Sequence, residues 1–283
     1  MHFGLFFLLL TCLITEIHAN DLQEFIESFD TGTINWSKCY IQSEGIKVPV
    51  TKNQRECDDP IAQAQQIALD HLLKTLLQVR VSSHLWVRDI VQQDHSMLPK
   101  IKTYVNHSQM IKSPYLPDVS SQVILQMNLH GDFSEFVLPA DIKQLDSVIS
   151  LKQNPSVPKQ DELDNTAPQK NKYSGLLVDA RGLFLSPAMS FSILDESGQQ
   201  VFGPVFASRE YAIKQGMCAY YRDIEVALKD SRILDNPLII KGLKLVVPRG
   251  VDVIISNGDA QKVRSAFELL SNMRKCRVVI VGN

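Results

Sequence analysis

The chain has little that announces chemistry. Its 283 residues hold no G-x-x-x-x-G-K-[ST] or G-x-G-x-x-G run that would cradle a phosphate, and no G-x-S-x-G turn that would present a nucleophile. Histidines 71, 84, 95, 107 and 130 never fall at H-x-x-x-H spacing, and no C-x-x-C occurs, so neither a zinc site nor a dithiol redox pair is predicted. The formal charge of -2 gives nucleic acid no basic footprint. With aromatics at 7% there is no aromatic or basic cluster for lipid or peptidoglycan. No cofactor is expected.

Long apolar runs are scarce as well. Phe3–Ile14 is the single such block, too short for the roughly 20 residues of a spanning helix. Followed by the small-residue exit at His18-Ala19-Asn20, it reads as a signal peptide over residues 1–19 and places the mature chain beyond the inner membrane. Threonine before Cys12 makes a poor lipobox, so a route to the membrane would run through a partner or through lipidation at that cysteine. Cleavage would leave Cys39, Cys57, Cys218 and Cys276 in an oxidising compartment. One bridge per domain, Cys39–Cys57 and Cys218–Cys276, is the simplest of the three pairings, against four free thiols.

What remains is the composition of a globular protein, 45% hydrophobic and 21% charged. Residues 150–172 carry three prolines among Gln, Asn, Lys, Asp and Glu and read as a linker. It separates a first domain, 20–149, from a second, 173–283. The expected class is α+β, each domain a mostly antiparallel sheet packed by one or two helices. Asp59-Pro60 opens the clearest helix, with Ile61, Ala64, Ala68, Leu72 and Leu76 on one face. Alternation at Val79, Val81, Leu85 and Val87 predicts a long strand, and Val123, Leu125, Met127 and Leu129 predict the most regular one. In the second domain Ser174–Gly182, a hairpin around Asp195-Glu196-Ser197-Gly198, Leu238–Val247, Val251–Ile255 and Val278–Val281 are extended. Helices are predicted over Tyr220–Lys229 and from Ser256 or Asn257 through Met273.

Ser174–Gly182, Ile193–Glu196, Ser208-Arg209-Glu210, Asn236-Pro237, Ser256–Ala260 and Lys275-Cys276-Arg277-Val278 together resemble a carboxy-terminal module of envelope proteins from flagellated or gliding-type Gram-negative bacteria. The alanine-spaced helix from Ala62 to Leu72, leading into Val79-x-Val81-Ser82-Ser83, resembles the small outer-membrane lipoprotein (LPP-twenty-like) domain and the first domain of flagellar assembly protein T. The resemblance implies a structural role in envelope or flagellar-ring assembly, with proteins of those assemblies as partners and no reaction.

Asp179 and Arg181 leave one face of a strand and are expected to pair, fixing the bend at Gly182. With the hairpin tip, Asp195 and Gly198, they are the candidate structural or interaction residues; no catalytic or metal-binding residue is assigned. The competing reading makes the protein a hydrolase or ligand-binding protein using Asp179 and Arg181.

Overall fold

A computed structural model describes residues 24–48, 59–112, 121–142 and 173–283. The signal peptide, Cys12, Cys57 and the 150–172 linker expected from the sequence lie outside these residues.

The class is α+β, built on two sheets. The first is antiparallel, in the order β1-β2-β3-β5-β4, from Ile26–Phe29, Gly32–Asn35, Tyr40–Lys47, Gln109–Lys112 (β4) and Ser121–Asn128 (β5). Helix α1, Pro60–Leu76, covers one face. It starts where Pro60 needs no donor and the Asp59 carboxylate accepts the Ile61 N–H at 2.9 Å. Gly45 lets helix and sheet touch: a Cβ there would stand 2.0 Å from the Ala64 carbonyl oxygen. Ser43 Oγ donates to the Ala68 carbonyl at 2.7 Å. The regular strand expected around Val123–Leu129 is β5, its odd-numbered side chains buried beneath α1.

The long strand expected after α1 does not form. Arg80 and Trp86 make a single antiparallel bridge around a tight turn. Val87 then opens helix α2, Val87–Gln93, where Asp89 accepts the Trp86 N–H at 2.9 Å. Helix α3, Met97–Asn106, follows. The polar member of the alternation, Arg80, is not facing solvent as a strand residue would; its guanidinium grips Glu27 with two bonds of 2.9 and 2.8 Å. A fourth helix, α4, Asp132–Val137, closes the first unit after the turn at Gly131.

The second sheet runs β8-β7-β11-β10-β6-β12-β9. Its strands are β6 (Leu176–Asp179), β7 (Ile193–Leu194), β8 (Gln200–Phe202), β9 (Ala219–Tyr221), β10 (Leu238–Leu245), β11 (Val253–Ile255) and β12 (Val278–Val281). This sheet is mixed, which corrects the expectation of a mostly antiparallel one: β6 lies between β10 and β12 and is parallel to both, and β12–β9 and β11–β7 are parallel too. Helical crossovers impose this, because a strand–helix–strand unit returns its second strand in the direction of the first. Helix α5 is Arg209–Gln215. Tyr220 and Tyr221, expected to open a helix, belong to strand β9, and helix α6 is confined to Ile224–Ala227, capped by Asp223. The single helix expected before β12 is two, α7 (Asn257–Ser265) and α8 (Phe267–Arg274), because Ala266 leaves helical geometry at φ -94°, ψ 86°. The break rotates the face, so Leu269 and Met273 are buried and Phe267 is 78% exposed.

The two sheets share one apolar cluster, running from Phe25 and Trp36 to Tyr220 and Ile280. Tyr220 stands edge-on to both Phe25 and Trp36, at 6.3 and 6.1 Å. Backbone bonds cross the same seam, from Ser190 N–H to the Val81 carbonyl (2.9 Å) and from Gly131 N–H to that of Ile213 (2.9 Å).

Candidate interaction surface

Asp179 and Arg181 form the pair the sequence predicts. Arg181 Nε and Nη2 donate to the two carboxylate oxygens at 2.8 and 3.0 Å, and the Arg181 backbone N–H adds a third bond at 3.1 Å. Lys241, opposite Asp179 on β10, donates to Oδ2 at 3.1 Å, a partner that sequence spacing could not reveal. The Arg181 bonds foremost, with Lys241 adding to them, hold the Asp179 carboxyl well below the usual carboxylate range. Gly182 turns the chain at φ +89°, and its N–H is received by the Asn283 side chain at 3.0 Å. With both oxygens committed to cations, the carboxylate is poorly placed to take a proton from anything else.

The hairpin tip is folded onto itself. Asp195 Oδ1 accepts from Ser197 Oγ (2.6 Å), Ser197 N–H (3.0 Å) and Gln199 N–H (2.9 Å), and Oδ2 meets Arg264 at 2.9 Å. These bonds, led by Ser197, bring its carboxyl down to about 2. Gly198 supplies the positive φ, +82°, that the turn requires. The two carboxylates sit in separate sheet regions and form no common site. Nor is β6 an edge available for pairing, since neighbours occupy both its sides.

Cys218 and Cys276 are buried free thiols, which overturns the bridge expected between them. Cys276 points inward from a left-handed backbone position, φ 58°, and Cys218 stands among seam side chains. Burial pushes both thiols up to about 12 and the free Cys39 up to about 11, leaving them unreactive at neutral pH. Among the described residues no group of three or more His, Cys, Asp or Glu is arranged to hold a metal ion.

The feature that sequence reading missed is an uncovered half-face. On one side of the second sheet every strand packs into the common core. On the other, α6 and the turn after it cover Leu177, Val279, Val281 and Ala219, sealing β6, β12 and β9. The cover stops there. Ile239, level with Leu177 on β10, is 50% exposed, and Leu243 is 46% exposed. Ile254 and Leu194, in register on β11 and β7, continue the strip half-buried. Lys241, bound to Asp179, stands between Ile239 and Leu243 on this face, and a bulge between Gly242 and Lys244 brings Lys244 opposite Ile254, so cations interleave the apolar residues. The burial of β10, alternating from Leu238 to Leu243, marks a strand with one open face, on which Ile239 and Leu243 flank Lys241.

A cavity of about 530 Å³ lies elsewhere, along β3 beyond its pairing with β2. His71 Nδ1 already meets the Glu44 carbonyl there at 2.7 Å, so one acceptor of that strand edge is taken.

The geometry therefore defines an α+β protein of two joined sheets with one half-face unsheltered. Residues 175–283, from the residue before β6 to the end of the chain, match the family described as the second domain of Treponema pallidum Tp0624. No curated protein matches the chain.

Proposed function

We propose that the protein works without chemistry of its own, as a contact-forming component of the bacterial cell envelope, in the periplasm or on the periplasmic face of the outer membrane. The observation that carries this reading is the open half-face of the second sheet, where Ile239 and Leu243 stand exposed on an interior strand. Sheets with parallel strands are ordinarily covered on both faces, and an apolar strip left bare on one is a surface awaiting a partner. Its interleaved cations favour a partner segment that alternates apolar with acidic side chains. The apolar block Phe3–Ile14 supports an envelope location, and the resemblance to envelope and flagellar-assembly domains points to outer-membrane or flagellar-ring proteins as partners. The hydrolase alternative loses ground on the Asp179 geometry, where every carboxylate oxygen serves Arg181 or Lys241.

In-cell cross-linking of a carboxy-terminally tagged copy tests the reading. Recurrent capture of one envelope protein is expected, and it should be lost in Ile239→Ser/Leu243→Ser while folding is retained. Equal capture by both forms would contradict it.

A further inference from the structure

A second feature stands apart from the open half-face, where α5, the turn after α6 and the α8–β12 connection meet. Tyr211, Gln215, Asp230, Arg232, Lys275 and Arg277 line a cavity of about 320 Å³ there. Arg232 is fixed in place by backbone: Nη1 donates to the Gly216 and Cys276 carbonyls at 3.1 and 3.3 Å, and Nη2 to that of Gln215 at 2.5 Å. Those carbonyls occupy donors without cancelling the charge. Lys275 and Arg277 flank Cys276, whose side chain is buried, and both contribute to the cavity wall. Arg277 Nη1 has only a long bond to Asn272 Oδ1, 3.4 Å, and Gln215 Nε2 ties α5 to the Lys275 carbonyl at 2.8 Å.

The lone carboxylate of this wall is already engaged. Asp230 Oδ1 accepts the Arg232 backbone N–H at 2.7 Å and Oδ2 the Tyr221 hydroxyl at 2.8 Å. Among the described residues, Arg232, Lys275 and Arg277 make no ion pair. Three cations thus converge on one hollow against a single occupied carboxylate, on a framework cross-tied by hydrogen bonds.

We infer that this cavity binds an oxyanion of the phosphate class. Charge-assisted donors from two guanidinium groups and an ammonium suit a tetrahedral anion with several acceptor oxygens. The volume is at the low end for small-molecule pockets, which fits free phosphate or a monoester with a small appendage. Ser231, also in the wall, adds a neutral hydroxyl.

Isothermal titration of the full chain at low salt with inorganic phosphate, and separately with glycerol phosphate, is the test. Saturable binding with a Kd of about 1 mM or tighter is expected. Lys275→Gln and Arg277→Gln should each weaken it about tenfold, and Lys100→Gln, exposed on α3 and outside the cavity, should leave it unchanged. Tighter binding of glycerol phosphate would identify a monoester as the ligand, and equal affinity free phosphate. Absence of saturable binding, or binding indifferent to Lys275→Gln and Arg277→Gln, would overturn the inference. Circular dichroism of both variants separates lost binding from lost folding.

Discussion

Both sheets leave part of a face uncovered, and they treat that exposure in opposite ways. The first, antiparallel, buries Val123, Leu125 and Met127 under α1 and turns Gln122, Ile124, Gln126 and Asn128 outward. On that outer face Gln42 bonds to Gln126 at 2.8 Å and Gln122 to Glu44, so polar pairs separate Ile124 from Ile46. Water can wet such a surface at little cost. The second sheet turns out Ile239 and Leu243, with Ile254 and Leu194 half-buried beside them and Lys241, bound to Asp179, between the two exposed residues. The outer face of the first sheet is closed by its own polar pairs, whereas the face of a sheet with parallel strands is ordinarily covered. On this difference we place the proposed partner surface on the second sheet.

The comparison can be broken first inside the second sheet. Leu177 and Ile239 are neighbours in register, one fully buried and one half-exposed. Leu177→Ala is expected to cost about 3 kcal/mol in denaturant unfolding. Ile239→Ser is expected to stay within about 0.5 kcal/mol, because its face is not part of the protein's own core. A large loss at Ile239 would mean that the strip is internally covered. On the first sheet, Gly45→Ala places a Cβ against the α1 backbone and is expected to cost about 2 kcal/mol or more, separating a packed face from an open one by the same assay.

A smaller effect concerns the seam that joins the sheets. His130 lies there, its imidazole brought down to about 4, chiefly by burial and then by the Arg232 charge. The unfolded chain takes up this proton near pH 6.5 and the folded chain only near 4, so stability is complete above 6.5 and declines as pH falls between those values. His130→Gln should flatten that part of a stability–pH profile.

The mildest expected effect lies at the hairpin tip. With its carboxyl at about 2 against an ordinary value of 3.8, Asp195 contributes stability above pH 3.8 that is lost as pH drops towards 2. Asp195→Asn should reduce that acid-range slope.

Local signals carried much of this structure. Asp59-Pro60, the alternation through Val123–Met127, the Asp195–Gly198 turn and the Asp179–Arg181 pair depend on residues near one another in the chain, and all are present. The alternation at Val79–Val87 misled because a turn with outside partners imitates period two. Strand direction in the second sheet was not legible, since β6 finds β10 and β12 across long separations. The open half-face was hidden for the same reason. Ile239 and Leu177 read alike as apolar strand residues, and only the limited reach of α6 makes one of them surface.

The most direct measurement is photo-cross-linking in the cells that produce the protein, with a photoreactive residue placed at Ile239 in one copy and at Ile124 in another. A discrete adduct with one envelope protein is expected from position 239 and none from position 124. Adducts from both positions alike, or from 124 alone, would contradict the assignment of the partner surface to the second sheet.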